Sequence, residues 1–249
     1  MTTTYLIAAL VTLAFTIVLT VAGLGAAFIL VPVYLALGVE MHSAQATALL
    51  LNAIAMAFAC ARYIPAKLVD FRIAVPIVIV ATILSPLGAY TSSFVPVTTL
   101  KWMFVGFLVF AGAMMLFYKP KPHELAGRGE LVGVGAGVGG VAGFLGGMLG
   151  VGGGNFVVPA LVWLGLDAKR AAGTTAFVVV FASFTGFLGQ ASVATIDLQL
   201  LAWTAAASII GALIGSWLMH RKLQAAQVKT SIGVLLFFIA GTMAYKLIA

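Results

Sequence analysis

Charge is what this chain has least of. Only 8% of its 249 residues are Asp, Glu, Lys or Arg, against roughly a quarter in a soluble globular domain. No Lys, Arg, Asp, Glu or His interrupts residues 1–39, 43–61, 73–100, 131–166, 171–196, 198–219 or 230–245. Catalysis by acid, base or metal needs such groups, so the spans argue against a membrane-embedded enzyme. Cys60 is the one cysteine, which excludes an intramolecular disulfide, a paired-thiol electron relay and a Cys-rich metal site. His42, His123 and His220 are scattered without metal-ligand spacing, and no cofactor is expected. The strict polar and apolar alternation of a barrel strand is also missing. Residues 1–5 hold no Lys or Arg, so the first apolar run is expected to be a membrane segment rather than a signal peptide.

What is present is apolar. Hydrophobic residues make up 63% of the chain and the mean hydropathy is +1.20. Each charge-free run is of the order of the ~20 residues a bilayer core requires. Helices are the spanning structure that satisfies its own backbone in hydrocarbon, so an all-α integral membrane protein is expected. The net charge of +7 sits in short loops between the runs. It reports topology, and no nucleic-acid partner is expected.

The chain repeats itself. A constant offset of 127 aligns Gly23 with Gly150, Gly25 with Gly152, Pro32 with Pro159 and Gly38 with Gly165. It continues through Ala44 and Ala171, Thr47 and Thr174, Gly88 and Gly215, Gly106 and Gly233, and Tyr118 and Tyr245. The expected organisation is a first membrane repeat over 1–121, a charged, proline-containing linker over 122–130 and a second membrane repeat over 131–249. Each half reads as five apolar segments: 5–22, 24–37, 43–61, 73–92 and 100–118, then 131–149, 153–166, 171–190, 198–219 and 230–248. The second segment of each half has 14 residues, about 21 Å of helix, too short to cross alone. Each first pair is therefore expected to form a broken or re-entrant glycine-rich hairpin followed by three spanning helices.

An odd number of segments per half inverts the second half relative to the first. With five, Arg62, Lys67, Arg72, Lys119, Lys121, Arg128, Lys169, Arg170, Arg221, Lys222 and Lys229 fall on one side, and only Lys101 and Lys246 on the other. If each hairpin were one long span the basic residues would divide almost evenly. The positive-inside rule thus favours two inverted repeats, with the linker cytoplasmic and both termini outside. Trp102, Trp203 and Trp217 fall near segment ends, as interfacial anchors do.

The most distinctive stretch is Gly146-Gly-Met-Leu-Gly-Val-Gly-Gly-Gly-Asn-Phe-Val-Val-Pro159, followed by Leu161 and Gly165. Glycine costs about 1 kcal/mol relative to alanine in a helix, so Gly152, Gly153 and Gly154 are expected to break one inside the membrane. The next helix then presents backbone N–H groups and a partial positive charge at one spot, able to hold an anion without a buried cation. Asn155 adds an amide there. Thr174 and Thr175 are candidate hydroxyl contacts, and Gln45 and Thr47 are candidates from the other half. Gly23, Gly25, Pro32, Gly150 and Pro159 are candidate hinge or helix-break positions. Asn52, Ser183, Thr185 and Gln190 are further polar residues in the spans, ranked lower. Gly133, Gly137, Gly140, Gly143 and Gly147 are expected to form a helix-packing face.

Here the sequence resembles the TauE/SafE family, whose mark is a glycine cluster closing on a Pro-x-Leu in each of two halves. The second half carries it as Gly150 to Gly154 with Pro159 and Leu161. The first half keeps Gly23 and Gly25 with Pro32, and has Ala26 and Ala27 where the second has Gly153 and Gly154. The resemblance covers nearly the full chain. It implies a multi-pass transporter of the cell inner membrane whose partners are lipid and a small anion of the sulfite or organosulfonate class. Without intramembrane carboxylates to carry a proton, export driven by the membrane potential is the expected mode. An anion channel and a structural membrane subunit are the alternatives.

Overall fold

The computed structural model describes residues 2–117, 128–191, 194–221 and 225–248. Among them are ten α-helices and no strand: α1 Thr2–Ala22, α2 Ala27–Ala36, α3 Met41–Tyr63, α4 Phe71–Thr91, α5 Val97–Phe117, α6 Arg128–Met148, α7 Gly154–Trp163, α8 Ala168–Ala191, α9 Leu198–Arg221 and α10 Ala225–Ile248. Every expected apolar segment is a helix. The expected linker lies largely outside the described residues, and α6 begins at Arg128, three residues ahead of the expected second repeat. Helices α1, α3, α4, α8 and α9 are long and apolar enough to cross a bilayer. By contrast α2 and α7 have 10 residues each, about 15 Å, too short to cross it alone.

The centre is built on α3 and α8, whose apolar spans are 72% and 61% buried against 33% for α9. They cross antiparallel. His42 Nδ1 lies 3.3 Å from Gln190 Oε1 at one end, Asn52 Nδ2 donates to Ser183 Oγ at 2.9 Å midway, and beyond the end of α3 the Asp70 N–H donates to Thr174 Oγ1 at 3.0 Å. The loops gather at the two ends of this seam. Arg170 pairs with Asp70, and Lys169 Nζ donates to the His220 carbonyl, at one end. Tyr5 donates to Asp197, and Ser43 meets Thr195, at the other.

Outside this centre, α1 packs on α9 and α4 on α6. The offset of 127 turns α1 and α9 into α6 and α4, so the two pairs are the same pair with partners exchanged. The seams are made of small residues at every fourth position. Gly135, Gly139, Gly143 and Gly147 of α6 lie directly on Pro76, Ile77, Ala81 and Ser85 of α4. The equivalent positions of α1 are Ala8, Thr12, Thr16 and Thr20, all fully buried, and there α9 supplies the glycines Gly211 and Gly215. With no hydrophobic force between helices in lipid, close backbone approach through small residues holds such pairs together.

This corrects the expected packing face. A Cβ on Gly133 or Gly137 would meet nothing within 4 Å, and one on Gly140 would make ordinary contact. Steps of four residues stay on one ridge of the helix, and Gly133 and Gly137 stand on a different ridge from the row 135, 139, 143 and 147, so only Gly143 and Gly147 of the expected series lie on the seam. The outer faces carry exposed large side chains such as Ile83, Phe110, Leu188 and Phe238, which lipid solvates. Gly143→Leu is therefore expected to lower the melting temperature of the purified protein by several degrees, since overpacking costs about 1–3 kcal/mol or more. A Cβ there would lie 2.5 Å from the Ala81 Cα. Gly137→Leu should leave melting in detergent unchanged, and equal losses from the two would contradict the four-residue seam.

Candidate functional site

Two chain breaks meet against the α3/α8 crossing. Helix α1 ends at Ala22 and α6 at Met148, and each is closed by a glycine in the left-handed region. Gly23 N donates to Thr20 O and Leu24 N to Leu19 O, while Gly150 N donates to Gly147 O and Val151 N to Gly146 O. This is one capping pattern used twice, the glycine one place beyond the cap and the next N–H reaching back five residues. Gly38 and Gly165 close α2 and α7 in the same way. The sequence repeat is thus a repeat of helix stops.

The two breaks differ one step further on. Gly25 and Gly152 have φ of 74° and 73°. Gly153, the N-cap of α7, is left-handed at φ 74°, whereas Ala26, the N-cap of α2, is right-handed at φ −93°. Alanine stands at 26 because its backbone asks nothing special there, and a side chain at 153 would be strained. The expected break over Gly152 to Gly154 is accordingly shifted. The chain leaves the helix before Gly150, and Gly154 is already the first residue of α7. Pro32 lies in α2 and Pro159 in α7, each at the sixth position. Pro159 removes the N–H that would bond to the Asn155 carbonyl and so loosens the start of α7.

The loops press on each other and on the crossing. A Cβ at Gly25 would collide with the Asn52 amide, one at Gly152 with Ser183 Oγ and the Asn52 amide, and one at Gly154 with the Leu24 carbonyl and Val179. Two half-helices therefore start beside the Asn52–Ser183 bond. From there α2 runs to the His42 end and α7 to the Asp70 end. No side chain caps the start of α2 or α7, and each helix N-terminus carries about half a positive charge. Two such ends lie close to the same pair of side chains.

Polar atoms in this region are left over. Asn52, Asn155, Thr175, Ser183 and Gln45 are all buried. Among the described residues, both amide atoms of Asn155, Asn52 Oδ1, Thr175 Oγ1 and Gln45 Oε1 have no hydrogen-bond partner. A buried unpaired polar atom costs about 1–3 kcal/mol, and the Asn155 amide and Asn52 Oδ1 are the ones at the central break. Ser183 accepts from Asn52, and its own hydroxyl hydrogen is directed by whatever acceptor sits beside it.

The expected site residues divide into three levels. Gly152, Gly153, Gly154 and Asn155 form the central break. Gln45 lies over Gly150, where a Cβ would be 2.7 Å from its Cγ, roughly 10 Å along α3 from Asn52, and Thr47 is buried in the same part of the helix. Thr174 and Thr175 lie about 12 to 13 Å along α8 from Ser183. The Thr174 hydroxyl holds the Asp70 N–H, and Gly23 packs nearby on the Ala172 backbone. Asn52 and Ser183, ranked lower from sequence, occupy the centre. The offset pairs Asn52 with Val179 and Ser183 with Met56, so a search for repeated polar positions passes over them.

The loop carboxylates nearest the His42 end are held ionised. Hydrogen bonding from the Leu200 N–H, with Tyr5 and Gln199, keeps Asp197 below its usual range. The Ser43 hydroxyl, with the His42 and Ser43 N–H groups, does the same for Glu40.

Residues 7–243 match the family described as sulfite exporter TauE/SafE. A curated relative, described as probable membrane transporter protein YunE of Bacillus subtilis (strain 168), is 26% identical over 206 residues, covering 74% of each chain. No solved structure matches. The match extends from α1 into α10 and includes both breaks, and with five helices able to span a bilayer it makes this a multi-pass membrane protein. The chain belongs to the TauE/SafE family of membrane transporters.

Proposed function

We propose that the chain is a secondary transporter that exports a small anion, of the sulfite or organosulfonate class, and binds it between the N-termini of α2 and α7. The observation that carries this is the meeting of the two breaks at Asn52 and Ser183, with the unpartnered amide of Asn155 at the start of α7. An anion there would meet the positive ends of the α2 and α7 dipoles, the Asn155 amide and the Ser183 hydroxyl. The substrate class itself is supported by the family description alone.

The two halves are inverted in this reading. Equivalent helices α3 and α8 run antiparallel, and Arg62, Lys67, Arg72, Lys169, Arg170 and Arg221 belong to the Asp70 end of the seam. The positive-inside rule makes that end cytoplasmic. A carrier is favoured over a channel because the centre is shut. Tyr34, Tyr63, Asn52, Asn155 and Ser183 are at most 1% exposed, which a continuous pore would not allow. A purely structural subunit would have no use for the unpaired atoms at the break.

Energy comes from the potential. Glu40 and Asp197, with lowered pKa values, stay deprotonated through neutral pH and take up no proton there. Expelling one negative charge from a negative interior gains about 2.3 kcal/mol per 100 mV, a roughly fiftyfold gradient. In proteoliposomes with a potential set by potassium and valinomycin, sulfite or sulfonate flux should follow the potential at zero pH gradient. Gly153→Val and Asn155→Leu should reduce it about ten- to a hundredfold at equal insertion, the worth of a hydrogen bond to a charged ligand. Flux that ignores the potential and follows an imposed pH gradient would overturn the mechanism.

A further inference from the structure

The two ends of the α3/α8 seam are built from equivalent positions and held by different chemistry. The offset of 127 pairs Asp70 with Asp197, Thr174 with Thr47, and Arg170 with Ser43. Asp70 and Asp197 both cap helices, Asp70 Oδ1 accepting from Arg72 N, and Asp197 Oδ1 from Gln199 N and Leu200 N. Their second oxygens part company. Asp70 Oδ2 takes Arg170 Nη2 at 2.8 Å, whereas Asp197 Oδ2 takes the Tyr5 hydroxyl at 3.0 Å. Where Arg170 would stand at the other end, Ser43 donates to Glu40 and meets Thr195.

Among the described residues, the ion pair thus joins the 64–70 loop of the first half to α8 of the second at one end alone of the seam. Behind it the Asp70 N–H rests on Thr174, whose neighbour Thr175 is buried and unpartnered. The pair is also accessible, with Arg170 at 49% and Asp70 at 26% exposure. A partly exposed pair is weak, so another anion can displace the carboxylate. A guanidinium receives a sulfonate or sulfite by the same parallel N–H groups that receive a carboxylate.

We propose that Asp70 and Arg170 form an exchange latch at the cytoplasmic end of the pathway, in which an incoming small oxyanion takes Arg170 in place of the Asp70 carboxylate and frees the 64–70 loop from α8. This rests on the transport reading for its ligand. It also gives that reading a direction, because the outer end has no guanidinium to hold an anion back. Loading from the cytoplasm is assisted by a cation, and release outside meets hydroxyls.

The test reads access rather than flux, so a chain that moved no anion would still reveal the latch. In a Cys60→Ser background, Thr175→Cys is labelled by an impermeant thiol reagent from the cytoplasmic face of inside-out vesicles. Asp70→Asn keeps the helix cap, since asparagine caps as well as aspartate, and should speed labelling roughly threefold, as expected for loss of a partly exposed ion pair. Arg170→Gln should speed labelling to a similar extent, and the double substitution with Asp70→Asn should add nothing further. Methanesulfonate should speed labelling of the parent and have no effect on Arg170→Gln. Unchanged labelling in Asp70→Asn, or effects of Asp70→Asn and Arg170→Gln that simply add in the double substitution, would overturn the latch. A latch that opens on mutation but ignores methanesulfonate and sulfate alike would overturn the exchange.

Discussion

A helix broken inside a bilayer leaves backbone N–H and C=O groups that hydrocarbon cannot satisfy. Where those groups are put decides the rest of this structure. They cannot face lipid, so both breaks are enclosed between α3 and α8, and that enclosure leaves no room for side chains at Gly25, Gly152 and Gly154. Tight closure of the stops at Gly23 and Gly150 satisfies the outgoing carbonyls of α1 and α6. No side chain caps the start of α2 or α7, so the positive ends of both helix dipoles are left facing the break. The small-residue seams of α1 with α9 and α4 with α6 then draw the surrounding helices close together.

Much of this was legible in the sequence because it is periodic. Helix stops need glycine at one place beyond the cap, so Gly23, Gly38, Gly150 and Gly165 repeat with the offset and mark the half-helices. Most of the ten segments follow from apolar runs bounded by charge, and the runs 1–39 and 131–166 divide in two at their glycines. What was not legible is what one half does to the other. Asn52 and Ser183 bond across the crossing from positions that are not equivalent, and nothing in a one-dimensional alignment of the halves brings them together. The α6 seam was misjudged for a related reason. Nine glycines on one helix are compatible with several faces, and only the partner, α4, selects the row from Gly135 to Gly147.

Neutral groups at the centre and charged groups at the ends form a consistent division of labour. A buried lysine or arginine at the midpoint would bind an anion strongly but would be expensive in the membrane when the anion left. Helix ends, amides and hydroxyls bind it more weakly and cost little when empty, which suits a carrier that must return unloaded. The ends are unequal, with an ion pair at Asp70 and a hydroxyl contact at Asp197, and such an inequality would let a carrier built from two similar halves prefer one direction.

The central claim is that the two half-helix N-termini hold an anion beside Asn52, Ser183 and Asn155. Thermal unfolding of the purified protein, titrated with sulfite, methanesulfonate, thiosulfate and acetate, tests it most directly, since binding stabilises by RT ln(1 + [L]/Kd), about 2.7 kcal/mol at a hundredfold excess over Kd. At least one oxyanion should raise the melting temperature saturably, and the rise should vanish in Asn155→Leu and shrink in Ser183→Ala. No stabilisation by any of them, or a full rise that survives both substitutions, would contradict the account.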